Sequence, residues 1–360
     1  VSGSTNRSFT INSGVSASFE ITSAGTTLTI SGASANTTGS LVKQGPGTLT
    51  LSGANAYTGA TTISDGILQI GGSGFLGGGS YGAAILIDTG NTFQYSSSAT
   101  QTLSGSISGA GALTKDTSSS TLTLSGSNTY TGATTISAGT LALSNGAALA
   151  DTNAVNLSTS SATLLLNASE TIGSLTGAAS SSVNLGSNTL TVGDSSSTTF
   201  AGVISGSSGS LVKQGSGTLT LSGTNTYTGT TTISAGTLLL GGNNVVSSSS
   251  ALVMSGTAIL DLHGYVNTFA SLTGASGNTI YNNQSGTTST LSVAGGTTNY
   301  AGVITDHSSG TGVIAFTLTG GNLTMSNLNT YTGITTIGSG ATLAVNYFGD
   351  GGSSSGVGQA

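Results

Sequence analysis

The chain has 360 residues, of which 59 are glycine, none is cysteine and only 4% are charged, with a net charge of −6. Its four basic residues (Arg7, Lys43, Lys115 and Lys213) are dispersed, which excludes the clustered basic surface of a nucleic-acid-binding protein and polybasic binding to anionic membranes. Without cysteine there is neither a disulfide nor a thiolate metal ligand.

The first predicted elements are short strands in which apolar and polar residues alternate between Ser, Gly and Asn punctuation. These runs lie at residues 9–11, 19–21, 28–30, 84–87 and 92–95. The glycine-rich stretch 71–79 is predicted to be a turn or small loop. Apolar residues make up 35% of the chain, whereas disorder couples low hydrophobicity to high net charge, so we expect an ordered protein.

One stretch recurs four times, at 41–70, 113–143, 211–240 and 318–345. The third copy reads LVKQGSGTLTLSGTNTYTGTTTISAGTLLL, and the fourth is the most divergent. Repeats of this length favour a solenoid, in which each repeat stacks on its neighbours.

Each copy contains two apolar-x-apolar pairs whose apolar members share one face of a strand. In the first copy the pairs begin at Leu49 and Leu68, and the second and third copies repeat the same step. This step matches a solenoid coil of roughly 20 residues, so we expect the pairs to stack, coil on coil, in the core. The predicted core residues are Leu49, Leu51, Leu68, Ile70, Leu122, Leu124, Leu141, Leu143, Leu219, Leu221, Leu238 and Leu240.

No stretch has the apolar spacing of an amphipathic helix, and glycine recurs every few residues. Asn-Gly, the signal of tight hairpins, is rare. The sequence thus predicts an all-β fold, a parallel β-helix, with residues 1–360 in a single elongated domain because no linker-like segment interrupts the composition. The chain lacks an initiating Met, a leader and a transmembrane helix, so we expect a mature or excised segment.

The pattern GTLTLSGxNxYTGxTTISxGTLxL resembles the passenger-associated transport repeat of bacterial autotransporters. The resemblance implies a right-handed parallel β-helix that is exported to the extracellular space or outer surface of a Gram-negative-type bacterium. Such passengers serve as adhesins or as stalks for other modules. The chain ends in a Ser/Gly tail rather than in a membrane barrel, so we expect either that a barrel was removed or that the repeat is used without one.

The motif Asn-x-Tyr-x-Gly, here called the repeat corner, is interpreted as structural. Asn can bond its own backbone, Tyr is expected to point inward, and Gly can adopt positive φ. The alternative is a surface row of tyrosines that contacts sugar or protein. The corner residues are Asn55, Tyr57, Gly59, Asn128, Tyr130, Gly132, Asn225, Tyr227, Gly229, Asn329, Tyr331 and Gly333.

Catalytic and metal chemistry find little support. A polysaccharide-cleaving site needs paired carboxylates. The best-spaced pair is Asp151 and Glu170, one coil apart in sequence. The preferred interpretation, however, is that all the acids are solvated residues at the corners of coils. Asp261 and His263 would share a strand face but need a third ligand. The nonapeptide calcium motif fails because Leu76 stands where Asp is required. We predict no enzyme activity, metal or cofactor.

Three functions remain open. The first is a surface adhesin or stalk that self-associates, with aggregation or biofilm formation as the outcome. The second is a subunit of an extracellular filament built by head-to-tail stacking, and the third is a polysaccharide-acting enzyme. The expected partner is another copy of the chain, head-to-tail or side by side, because neither end carries an obvious cap. Surface glycans or proteins are further candidate partners; nucleic acid and direct membrane insertion are not expected.

Overall fold

The computed structural model describes residues 2–116 and 120–346. The terminal Ser/Gly tail from residue 347 onward and part of the second repeat copy lie outside these ranges. The fold divides into two compact units, Val1–Asn184 and Leu185–Ala360. The single-domain organisation stays a prediction, and the units are described one at a time.

Unit 1 consists of short strands whose alternating residues face inward and outward. Their bounds are β1 (Gly3–Thr5), β2 (Ser16–Glu20), β3 (Thr27–Ile30), β4 (Ser40–Gln44), β5 (Thr48–Leu51), β6 (Ala54–Asn55), β7 (Thr61–Ile63), β8 (Ile67–Ile70), β9 (Phe75–Leu76), β10 (Ser80–Tyr81), β11 (Ile85–Ile87), β12 (Thr92–Tyr95), β13 (Gln101–Leu103), β14 (Ile107–Ser108), β15 (Ala112–Lys115), β16 (Thr121–Leu124), β17 (Thr134–Ile136), β18 (Gly139–Leu143), β19 (Ala154–Leu157), β20 (Ala162–Leu166), β21 (Glu170–Ile172), β22 (Ser174–Gly177) and β23 (Ser182–Asn184). A single 3₁₀ turn, Gly77–Gly79, is the only helical element of the described residues.

The strands of unit 1 stack into parallel ladders. The longest runs β1-β3-β5-β8-β12-β15-β17-β19-β22, a second runs β10-β13-β16-β18-β20-β23, a third runs β14-β11-β7-β4-β2, and β6 pairs with β9. Consecutive strands of the chain fall in different ladders, so the backbone winds from one face to the next and closes a coil around an apolar interior.

Unit 2 repeats this construction. Its strands are β24 (Thr189–Val192), β25 (Thr198–Phe200), β26 (Val203–Ser205), β27 (Ser210–Lys213), β28 (Thr218–Leu221), β29 (Thr231–Ile233), β30 (Thr237–Leu240), β31 (Leu252–Met254), β32 (Ile259–Asp261), β33 (Val266–Phe269), β34 (Leu272–Gly274), β35 (Thr279–Tyr281), β36 (Thr288–Val293), β37 (Thr297–Tyr300), β38 (Val303–Ile304), β39 (Val313–Leu318), β40 (Asn322–Met325), β41 (Thr335–Ile337) and β42 (Thr342–Val345). They form the ladders β25-β28-β30-β32-β35-β38, β24-β27-β29-β31-β34-β37-β40-β42 and β33-β36-β39-β41.

The prediction of an all-β parallel solenoid with almost no helix is confirmed. Two local predictions were wrong. Residues 9–11 form an isolated bridge from Phe9 to Ser34 rather than a strand. A strand needs consecutive paired residues, and in this run Phe9 is the single residue with a paired neighbour. The glycine-rich stretch 71–79 contains β9, which pairs with β6 through the register Asn55↔Leu76, so it is part of a coil rather than a plain loop.

Candidate functional site: the polar corner of each repeat

The aliphatic pairs of the repeat stand side by side on neighbouring coils. The register places Leu49 beside Leu68, Leu122 beside Leu141 and Leu219 beside Leu238. All twelve residues of the predicted core set are at most 1% exposed. Because a step of one full coil brings like residues together, each pair continues an apolar column, and this column supports the polar groups described next.

The repeat-corner asparagine links three coils rather than only its own backbone. In the third copy, Asn225 Oδ1 accepts the N–H of Ile204 on the preceding coil at 2.7 Å. Its Nδ2 donates to Gly223 O at 3.1 Å and to Val245 O on the following coil at 2.7 Å. A buried amide thus replaces backbone pairing where the strands are interrupted.

The other copies vary this pattern. Asn128 also joins three coils, through Ile107 N at 2.7 Å and Ala148 O at 2.7 Å. Asn329 Oδ1 accepts the N–H of Ile304 at 2.8 Å. In the first copy, Asn55 donates to Gly53 O at 2.7 Å, but its buried Oδ1 has no partner in the described structure.

The repeat-corner tyrosines point inward and are 0% exposed in all four copies. Each tyrosine hydroxyl is paired with the threonine four residues later, which sequence reasoning missed. The distances are 2.9 Å for Tyr57 and Thr61, 2.6 Å for Tyr130 and Thr134, 2.7 Å for Tyr227 and Thr231, and 2.7 Å for Tyr331 and Thr335. Burial raises the pKa of each tyrosine, so the hydroxyl stays protonated and can donate.

The following coil closes this hydroxyl pair into a network in the first three copies. In the third, Thr231 Oγ1 lies 2.8 Å from Ser250 Oγ, which donates to Gly229 O at 2.7 Å. Asn153 has this position in the second copy, contacting Thr134 at 2.7 Å and Gly132 O at 2.8 Å.

In the first copy the closing residue is Tyr81, whose hydroxyl contacts Thr61 Oγ1 at 2.7 Å and donates to Gly59 O. Serine, asparagine and tyrosine therefore satisfy the same two groups, the threonine hydroxyl and the glycine carbonyl. The feature of the sequence that indicates this network is the spacing Tyr-x-x-x-Thr, which all four copies share.

The repeat-corner glycines are not in the positive-φ region, so that part of the interpretation was wrong. They are required by close packing of coils instead. A Cβ on Gly59 would lie 2.3 Å from Gly39 O, and one on Gly229 would lie 2.4 Å from Gly209 O. Gly132 and Gly333 would meet the preceding coil at 2.2 Å. Real side chains do not approach a carbonyl this closely, so the adjacent coil would have to move.

Three of the four basic residues are buried in the repeats, a feature that composition alone did not reveal. Lys43 is 0% exposed, and its Nζ donates to Gln44 O at 3.0 Å, Gly45 O at 2.6 Å and Asp65 O at 2.9 Å. The first two oxygens follow Lys43 directly, and the third belongs to the next coil. Burial lowers the pKa of Lys43, and Asp65 partly opposes this.

The third copy repeats the arrangement. Nζ of Lys213 donates to Gln214 O at 2.6 Å, Gly215 O at 2.8 Å and Ala235 O at 3.2 Å. In the second copy, Lys115 donates to Ala138 O at 3.2 Å and its Nζ lies 5.8 Å from the centre of the Tyr95 ring. Burial likewise lowers the pKa of both lysines.

The expectation that the acids are solvated was wrong for Glu170, Asp261 and Asp306, which are 3%, 5% and 9% exposed. They serve as acceptors where backbone N–H groups lack strand partners. Asp306 Oδ1 accepts the N–H of Ile314 at 2.9 Å and of Thr332 at 3.0 Å. These carboxylates hold coils together.

The structure does not build an acid–base pair from Asp151 and Glu170. Asp151 is exposed in a turn, whereas the Glu170 carboxylate accepts the N–H groups of Leu149 at 2.9 Å and Ala148 at 3.3 Å. Burial raises the pKa of Glu170 to about 7, the two backbone N–H groups oppose the shift, and Asp151 adds to it.

Asp261 and His263 do not share a strand face, which corrects the sequence interpretation. Asp261 ends β32, and His263 follows in a turn with φ +47°. Their side chains lie 3.8 Å apart, while Asp261 Oδ1 accepts the N–H groups of His263 at 2.9 Å and Asn283 at 3.2 Å. Among residues 2–116 and 120–346, no three His, Asp or Glu residues converge as metal ligands would. No helix of these ranges is long and apolar enough to cross a membrane.

The fold and the repeat corners define the class of protein: a parallel β-solenoid whose coils are joined by recurring buried polar side chains. The Passenger-associated-transport-repeat family matches residues 41–70, 116–143, 211–240 and 316–345. The adhesin BmaC autotransporter of Brucella suis biovar 1 (strain 1330) is 34% identical over 389 aligned residues, which cover 99% of this chain and 11% of that protein. No solved structure matches. The repeats and this similarity support an autotransporter passenger.

Proposed function

We propose that this chain is a structural segment of an exported autotransporter passenger, acting as an adhesin at or outside the surface of a Gram-negative-type bacterium. The observation that carries the proposal is the series of four matched repeats whose polar corners are built into the solenoid. The similarity to an autotransporter adhesin along 99% of the chain supports it. Since the chain covers 11% of that relative, the proposal concerns this segment.

The outward face of the longest ladder in unit 1 fits contact with uncharged, hydroxyl-rich partners. Its central register is a row of uncharged residues in which Thr50 is buried and the Gln94 amide donates to the Asp116 carboxylate at 2.6 Å. The row consists of Ser4, Thr29, Thr50, Gln69, Gln94, Thr114, Thr135, Asn156 and Thr176. Hydroxyl and amide groups both donate and accept hydrogen bonds. Such a row offers repeated contacts to a surface glycan, a surface protein or the same row of a second copy.

The distribution of charged side chains also favours contacts through uncharged groups. The three repeat lysines are buried, while Arg7 is exposed, as are Glu20, Asp65 and Asp151. With so few exposed cations, contacts to another copy rest on uncharged groups rather than on ion pairs. We therefore include self-association, lateral or head-to-tail, in the proposal and expect added salt to leave it unchanged or to strengthen it by screening the acids.

A non-enzymatic role is part of the proposal. The carboxylate of Glu170, the best candidate for acid–base work by spacing, is already bound to two backbone N–H groups. Asp261 and Asp306 are used in the same way. These carboxylates are committed to joining coils, which supports a structural segment over a polysaccharide-acting one.

The test is surface display of the chain, fused to the secretion signal and translocator of a characterised autotransporter in a non-adherent laboratory host. We expect protease-accessible chain on the cell surface and saturable attachment to epithelial cells or to matrix-coated plates, competed by soluble chain. Failure to reach the surface would contradict the proposal. Display without attachment above that of a host showing the translocator alone would assign the stalk role instead.

Self-association is tested separately by sedimentation velocity of the purified chain at about 20–50 micromolar, a concentration at which weakly associating proteins form detectable complexes. The measurement is repeated at low and high salt. Concentration-dependent larger species that persist in high salt are expected. A monomer at every concentration, or association abolished by salt, would contradict this part of the proposal.

A further inference from the structure

Three carbonyl oxygens surround Nζ of Lys43 and three surround Nζ of Lys213, matching the three N–H groups of an ammonium. A carbonyl oxygen only accepts, and an ammonium supplies three donors where a neutral amine supplies two. Within the described part of the chain, no other hydrogen bond reaches the carbonyl oxygens of Gly45 and Asp65. Removing the ammonium would leave these oxygens without a hydrogen-bond partner from the chain.

Glycines in the positive-φ region shape this enclosure. Gly45 and Gly215, whose own oxygens face the ammonium, have φ of +74° and +69°. On the next coil, Gly66 and Gly236 have φ of +73° and +65° and directly follow the residues that contribute the third oxygen. Such angles strongly favour glycine, and they turn these carbonyls toward the cation.

The glycine on the next coil has a second reason to lack a side chain. A Cβ on Gly236 would lie 2.4 Å from Gly215 O, 2.5 Å from Gly217 O and 2.9 Å from Nζ of Lys213. A side chain there would therefore collide with a carbonyl that binds the ammonium as well as with the ammonium itself. Lysine and glycine, although they lie on successive coils, belong to one site.

The fourth copy lacks the lysine but keeps the glycine of the following coil, since Gly340 follows Ile337 as Gly236 follows Ile233 and has φ of +78°. Leu318 takes the ladder position of the lysine, since it stands beside Ile337 as Lys213 stands beside Ile233. The turn before the next strand spans residues 319–321 in the fourth copy and 214–217 in the third, so it is one residue shorter. Of these two copies, the third has both the lysine and the longer turn, and the fourth has neither.

We propose that the Lys-x-Gly turn and the x-Gly pair of the following coil form a carbonyl cage specific for a primary ammonium ion, which the chain fills with its own lysine. Three oxygens at hydrogen-bond distance suit –NH₃⁺ and are too few for a calcium ion, which takes six to eight. Because the third oxygen comes from the next coil, the cage is complete only when that coil is in place. The internal cation thereby joins two coils.

The experiment empties one cage and refills it. In the full chain, Lys213→Ala removes the equivalent of n-propylammonium and should lower the thermal unfolding midpoint. Adding n-propylammonium chloride should restore part of that midpoint in a saturable way, with little effect on the unsubstituted chain. Sodium chloride at equal ionic strength, tetramethylammonium, which has no N–H, and uncharged n-propanol should not restore it.

Leu318→Ala is the matched control, because it opens a cavity at the same ladder position without a cage. Equal stabilisation of Leu318→Ala and Lys213→Ala by n-propylammonium would overturn the proposal. If Lys213→Ala does not fold in buffer, the readout becomes recovery of the β-sheet circular dichroism signal, and failure to recover it would equally overturn the cage.

Lys213→Met provides an independent test, since it keeps an unbranched apolar side chain only one atom shorter than that of lysine but has no donor. We expect a lower unfolding midpoint than that of the unsubstituted chain and no response to n-propylammonium, because the methionine occupies the channel. A Met variant as stable as the unsubstituted chain would show that the three oxygens do not need a cation.

Discussion

The hydroxyl of Tyr227 lies 2.7 Å from Oγ1 of Thr231, and both side chains are fully buried. Ser250 of the next coil donates its hydroxyl proton to Gly229 O and accepts from the same threonine. A tyrosine at this position therefore contributes both apolar bulk and a hydrogen bond that reaches the next coil through one intermediary.

Tyr227→Phe should lower the free energy of unfolding by about 1–2 kcal/mol, because the buried threonine loses one of its two hydroxyl partners while the ring remains. Urea unfolding followed by circular dichroism measures this. Tyr265→Phe is the control, since Tyr265 is partly exposed and should change stability by less than about 0.5 kcal/mol. Equal effects of the two substitutions would contradict a role for the hydroxyl pair.

Gly229→Ala should destabilise the chain by about 1–3 kcal/mol or prevent folding. The new Cβ would lie 2.4 Å from both Gly209 O and Ser210 Oγ of the adjacent coil. Gly295→Ala is the matched variant, because nothing lies within 4 Å of its Cβ and its φ is not positive; it should be nearly neutral. A stable Gly229→Ala protein would show that the coils can separate at the corner at little cost.

Leu219→Ala should cost about 2–5 kcal/mol, the range for a leucine removed from a packed core. Leu219 is 1% exposed and stands beside Leu238 in the ladder. Leu239→Ala changes the same residue type on the outward face and should cost less than about 1 kcal/mol. The unfolding midpoints of the two variants, measured in parallel, test this prediction. A larger loss of stability for Leu239→Ala than for Leu219→Ala would mean that the inward and outward faces of the strand are assigned the wrong way round.

Stability should fall as pH rises because of Glu170. Its pKa is raised to about 7, chiefly by burial, from an ordinary value of 4.5. The unfolded chain therefore releases this proton before the folded chain does. The contribution is fully present below about pH 4.5 and is lost as pH rises through about 7, amounting to up to about 3 kcal/mol.

Glu170→Gln removes this titration and should flatten the pH dependence of unfolding between pH 5 and 8. An amide is compatible with the position, since Asn267 in unit 2 accepts the N–H of Val245 at 3.1 Å in the same manner as Glu170 accepts that of Leu149. Urea midpoints at both pH values test the prediction. An unaltered pH dependence in the variant would place the titration elsewhere, for example at Asp261, whose pKa is also raised by burial.

The sequence was sufficient to predict the stacking of coils. Alternation along a strand is a local property, so Leu49 and Leu51 show which way they face without any knowledge of the fold. The recurring step from Leu49 to Leu68 then gives the register, which the ladder reproduces. Repetition turned local information into long-range pairing, because every coil of a solenoid meets only its neighbours.

The polar interior could not be predicted in the same way. Lys43 and Arg7 look equally solvated in sequence, yet Lys43 is buried among carbonyl oxygens, one of which belongs to Asp65 on the next coil. Which carbonyl turns inward depends on the backbone angles of Gly45 and Gly66, and residue type permits these angles without fixing them. Gly59 shows the converse, since its glycine serves contact with Gly39 rather than a special angle.

The sequence by itself therefore determined the coil period, the inward-facing apolar columns and the passenger repeat, because these depend on spacing along the chain. Only the tertiary structure decided that the threonine four residues after each corner tyrosine is its partner, that Asn128 and Asn225 bond to the coils on both sides, and that the repeat lysines are internal cations. The asparagine and lysine contacts join groups on neighbouring coils, and the tyrosine–threonine pair lies within one coil; all of them depend on particular backbone orientations. Such orientations exist only once the neighbouring coil has stacked and excluded water.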